Sequence, residues 1–154
     1  MRYNQVKDLV EWAEGFHKRM AQQYSDAADK TDNERLSMAL TYLASRELRM
    51  QKGLNDLFHD GSSHKEVLET WFDESSEFPE PPELEQLTEK TVAGSVDEAT
   101  RTAAEAHQKL QALYEHRASR ARIEPEAEFF DSLAQGHNAE ARKLVTSMQE
   151  FEDI

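Results

Sequence analysis

Apolar residues return at alternating steps of three and four along four stretches of this chain, which is the period of a helix with one buried face. The first stretch runs Val6, Val10, Ala13, His17, Met20, Tyr24, Ala27, and the second Leu36, Leu40, Leu43, Glu47, Met50, Leu54, Leu57. The third carries Ala99 or Ala103, His107, Leu110 and Tyr114. The fourth carries Phe130, Leu133, His137, Glu140 or Ala141, Leu144, Met148 and Phe151. Four long helices are predicted. Near the middle of each stripe a polar residue stands where a leucine would serve: His17, Glu47, His107 and His137.

The breaks between stripes set the topology. In "KTDNE" a capping box is expected, Thr31 accepting from the amide of Glu34 while the Glu34 side chain reaches back. Gly94-Ser95 with Glu98 opens the third helix by another box, and Pro125 suits the first turn of the fourth. Short breaks force antiparallel neighbours, so residues 3–59 and 95–151 form two helical hairpins within one domain. Residues 60–94 differ, with Pro79, Pro81 and Pro82 and ten acidic residues against two lysines. They also hold a short amphipathic piece, "SHKEVLETWF", capped by Ser63 with Glu66. A connector of that length can cross the whole bundle, which leaves the third helix parallel to the second. Trp71, Phe72 and Phe78 either pin this crossover to the bundle or anchor a partner, and pinning is the expected role.

Sliding the second half over the first at an offset of 90 residues needs no gap. It aligns Ala13 with Ala103, His17 with His107, Tyr24 with Tyr114, Leu43 with Leu133 and Leu54 with Leu144. The misplaced polar residues pair too, Glu47 with His137 and Met50 with Glu140. The chain reads as a duplicated helical hairpin. Counting outward from turns centred near residues 31 and 121 at 1.5 Å per residue puts His17, Glu47, His107 and His137 within roughly one helical turn of a common height. Glu14 and Glu140 lie a turn away or less. Burying such groups unpaired costs several kcal/mol each, so they satisfy one another, hold water or bind something. Three imidazoles and a carboxylate in one dry layer suit a first-row transition metal such as Fe, Mn or Zn.

Composition narrows the rest. A chain of 154 residues can bury a core without staples, and the absence of Cys removes disulfides, thiolate catalysis and iron–sulfur clusters. The net charge of −13 opposes binding to a phosphate backbone and draws cations inward. No apolar run has the length of a signal peptide or membrane span, so a cytoplasmic protein without membrane contact is expected. Glycine-rich phosphate loops, Gly-x-Ser-x-Gly and His-Glu-x-x-His are absent, and no organic cofactor is implied. His59, His64 and His116 read as surface residues, and Tyr24 and Tyr114 as packing residues with hydroxyls at the bundle edge. Trp12, Phe16 and Phe129 lie near the edges of their stripes, which leaves a homodimer open without deciding it.

With these features the sequence resembles the ferritin-like superfamily, its rubrerythrin-like branch more than ferritin proper. The resemblance covers residues 5–58 and 95–150 and implies an all-α, ferritin-like four-helix bundle of two antiparallel hairpins joined by a long crossover. It also implies iron, held by a Glu on helices 1 and 3 and a Glu-x-x-His on helices 2 and 4. Glu14 and Glu47, 33 residues apart, match the first repeat, but Met50 stands where its His belongs. Ala104 replaces the Glu of helix 3, and "HNAE" from His137 to Glu140 reverses the order of Glu-x-x-His. His17 and His107, one turn further along, stand in. The candidate ligands are therefore His17, Glu47, His107, His137, Glu14 and Glu140. What the resemblance implies is an iron-dependent oxidase or peroxide-handling protein with an altered, His-rich site and an external electron donor. The competing expectation is a bundle that has lost the chemistry and serves as a structural or interaction module.

Overall fold

The computed structural model describes residues 5–57, 64–71 and 94–152. Four long helices dominate: α1 (Val6–Lys30), α2 (Glu34–Asp56), α4 (Val96–Arg120) and α5 (Glu124–Glu152), with a short α3 (His64–Leu68) after α2. Among the described residues there is no strand, only an isolated bridge between Gln5 and Trp71. The offset of 90 residues relates α1 to α4 and the start of α2 to the start of α5 without remainder, so both hairpins turn in three residues. This is the all-α bundle of two hairpins that the stripes predict.

Each stripe faces inward. Val6, Val10, Ala13, Met20 and Tyr24 on α1 meet Leu36, Leu40, Leu43 and Leu54 on α2, and Ala99, Ala103, Leu110 and Tyr114 on α4 meet Phe130, Leu144 and Met148 on α5, all buried. Trp12, Phe16 and Phe129 are buried inside the same chain, so no second copy is needed to cover them.

The helix ends correct one expectation. Asn33, not Thr31, caps α2 by accepting from the Leu36 amide, while Thr31 ends α1 and its hydroxyl accepts from the Asn33 amide. The residue next to the helix wins because its carbonyl-length side chain reaches the free amides of the first turn. Ser95 caps α4 as expected, accepting from Glu98, whose carboxylate accepts in turn from the Gly94 amide. Pro125 lies in the first turn of α5. Ser63 lies outside the described residues.

Arg46 on α2 sits beside Glu140 on α5, whereas Leu57, further along α2, shares a cavity with Ser132 and Leu133, earlier on α5. Those two helices are therefore antiparallel, and α4 runs parallel to α2. The chain leaves one end of the bundle at residue 71 and enters α4 at the other end at residue 94. At the first end the Val6 amide donates to the Thr70 carbonyl and the Gln5 side chain to the Glu69 carbonyl, both at 2.9 Å. Val67 and Leu68, both buried, fix α3. Trp71 does not pin the crossover with its side chain, since it is 70% exposed. Phe72 and Phe78, like His59, lie outside the described residues. No described helix is long and apolar enough to cross a membrane.

Candidate metal centre

The four polar interruptions meet. His17 Nδ1 lies 3.0 Å from Glu47 Oε2, and His107 Nδ1 lies 3.0 Å from His137 Nδ1. The members of each pair are thirty residues apart, so each stands equally far from its own three-residue turn. The pairs are joined across the bundle: His107 Nε2 approaches Glu47 Oε1 at 3.6 Å, and the rings of His17 and His137 stack with centroids 5.5 Å apart. All four residues are buried, none more than 4% exposed. One side chain comes from each long helix.

Burial sets the charge states. It pushes His137 well below the usual imidazole range, and the nearby His17 and His107 push the same way. Burial likewise lowers His107, against an opposing pull from Glu47. For Glu47, burial acts to raise the carboxyl, but His17 and His107, with the hydrogen bond to His17, outweigh it and hold the group below its usual range. The layer thus presents a carboxylate and at least two neutral imidazoles, the protonation states that ligate metals. Two of its buried polar atoms, His17 Nε2 and Glu47 Oε1, have no hydrogen-bond partner. Tyr24 lies close enough for the Glu47 charge to add to burial in raising its phenol. Its hydroxyl is buried without a partner, and Tyr114 is fully buried as well, so neither tyrosine reaches the bundle edge. The Tyr114 ring stacks on His137 at 5.4 Å.

The two outer carboxylates do not join the layer. Both oxygens of Glu140 accept from Arg46, each at 2.6 Å, a fork-to-fork pair. Glu14 is half-buried and accepts from Gln51 at 3.1 Å. Nothing in the stripes singled out Arg46 or Gln51, because both lie beside the core positions rather than on them. A second buried ion pair, Arg117 with Glu126 at 3.2 Å, also escaped notice. Counting outward from the second turn, as for the histidines, brings those two residues level. His116, expected at the surface, is half-buried with Nε2 shielded from solvent.

A carboxylate-bridged pair of irons does not fit these residues. Met50 and Ala104 supply no suitable donor, and Glu140 and Glu14 accept hydrogen bonds from Arg46 and Gln51. Three imidazoles and a carboxylate are donors of the kind that first-row transition metals take, and two of the buried donor atoms are unsatisfied. Among the described residues no three donors already stand around a common point, and an ion would compete with the two hydrogen bonds.

No family model matches the chain, and no curated protein matches it. A crystal structure from Thermotoga maritima does, described as that of a candidate ferritin-like diiron-carboxylate protein. It shares 13% identity over 97% of this chain and 99% of its own, with a TM-score of 0.58. The chain therefore has the ferritin-like fold.

Proposed function

We propose that this chain is a ferritin-like metal-binding protein whose interior site takes one first-row transition-metal ion, iron before manganese or zinc, in place of a bridged pair. The observation that carries the reading is the buried layer of His17, Glu47, His107 and His137, one residue per helix, with His17 Nε2 and Glu47 Oε1 unsatisfied. A buried polar atom without a partner costs about 1–3 kcal/mol, and a ligated ion removes that cost for both atoms. His17, His107 and His137 would supply nitrogen and Glu47 oxygen; Glu14 and Glu140 stay with Gln51 and Arg46.

An iron held there would supply one-electron exchange with a small oxidant such as a peroxide. The protein's own part is to keep His107 and His137 neutral and the Glu47 carboxylate charged, to exclude water, and to hold the Tyr24 hydroxyl near Glu47. These 154 residues contain no Cys, so turnover at such an iron would need an external electron donor. A second reading, a metal-free structural or interaction module, is favoured by the pairwise hydrogen bonds at 3.0 Å.

Elemental analysis of untagged protein after loading with Fe(II), Mn(II) or Zn(II) separates the readings. About one ion per chain is expected, lost when His107→Ala and His137→Ala are combined, with circular dichroism confirming that the variant stays helical. Two ions per chain would restore the bridged centre, and none under any loading would leave the metal-free module.

A further inference from the structure

Beside the polar layer, between α2 and α5, lies a cavity of about 320 Å³. Its walls are Met50, Leu54, Leu57 and Leu133, its inner end reaches His17 and His137, and Arg46 and Arg49 line it with Glu140. It falls in the size range of pockets for small organic molecules, which combine apolar walls with a few polar groups.

Two glycines line this space from opposite helices, Gly53 on α2 and Gly136 on α5. Glycine within a helix costs about 1 kcal/mol relative to alanine. A Cβ at either position would meet nothing within 4 Å, so close packing does not demand the glycine. The internal repeat sharpens the point: Gly136 matches Arg46, and Gly53 matches Lys143. At each pair of matched positions one helix carries a long side chain and the other leaves room.

The charges are unequal. Arg46 is neutralised by Glu140, whereas Arg49 makes no hydrogen bond or ion pair among the described residues. In a protein of net charge −13 the overall field repels anions, and Arg49, solvent-exposed at the rim of this cavity, is the cation there that Glu140 does not neutralise.

We propose that this cavity binds a small, mainly apolar molecule bearing one carboxylate, its head on Arg49 and its chain along Met50, Leu54 and Leu133 towards His17 and His137. This site does not depend on a metal. Titration calorimetry with decanoate and 1-decanol, on chelator-treated and on metal-loaded full-length protein, tests it. Decanoate is expected to bind one to one, at least tenfold more weakly to Gly136→Leu and Gly53→Leu, which fill the space. Arg49→Gln should weaken decanoate at least fivefold and leave 1-decanol unchanged. Helicity and melting of the leucine variants at or above wild type would establish that they fold. Absence of saturable binding, or equal affinity in the filled variants, would overturn the site, and 1-decanol binding as tightly as decanoate would overturn its anion preference. Metal uptake without decanoate binding would sink the cavity alone, and decanoate binding without metal uptake would sink the metal site alone.

Discussion

Acidification of the metal-free protein should unfold it from the inside. His107 and His137 are about 1% and 4% exposed, and burial holds both below the imidazole affinity of an unfolded chain. A group depressed in the folded state contributes stability that is complete above its unfolded value and is lost as the pH falls below it. For histidine that threshold is about 6.5. Below it the unfolded chain takes up protons that the folded layer refuses, and each imidazole adds a slope of about 1.4 kcal/mol per pH unit. Two together approach about 2.7 kcal/mol per pH unit, a large bite from the roughly 5–15 kcal/mol of a typical domain. Glu47, also depressed, works in the same direction at lower pH, its contribution being lost as the pH falls through its folded value. The assay is urea unfolding from pH 7.5 to 5 in the presence of chelator, with His107→Leu/His137→Leu as the reference that removes both imidazoles. Stability in wild type should fall steeply below pH 6.5, and the variant should lose most of that slope. A wild-type profile as flat as the variant's would refute the assignment of neutral, buried imidazoles.

Two further outcomes follow from the packing. Arg117 and Glu126, 5% and 4% exposed, occupy positions matched in the first repeat by buried Ala27 and Leu36. Glu126→Leu alone should cost about 3–5 kcal/mol by removing a carboxylate from a buried guanidinium, while Arg117→Met with Glu126→Leu should come within about 1 kcal/mol of wild type or exceed it; a double variant as unstable as the single would contradict this. At the first turn, Asn33→Ala should cost about 1 kcal/mol in thermal or urea unfolding and Thr31→Ala clearly less, because Asn33 holds the Leu36 amide. The reverse order would return the cap to Thr31.

The bundle was legible in the sequence because helix period, turn length and burial are local or nearly local properties. Val6 to Ala27 and Phe130 to Met148 declare their inward faces by spacing alone, and two three-residue turns compel two hairpins. The duplication carried the rest, since equal distances from two three-residue turns bring His17 level with Glu47 and His107 level with His137 by arithmetic. What spacing cannot convey is how a side chain beside the core stripe spends its charge. Glu140 stands on its stripe as a candidate ligand, and Arg46, 94 residues away in sequence, donates to both its oxygens. Glu14 was drawn off by Gln51 in the same way. Those choices depend on distances of about 3 Å between neighbouring helices, within one hairpin for Glu14 and between hairpins for Glu140, and helical periodicity alone does not encode them. The cavity beside Gly53 and Gly136 has the same origin: it exists only where two helix faces, each ordinary alone, fail to fill the space between them.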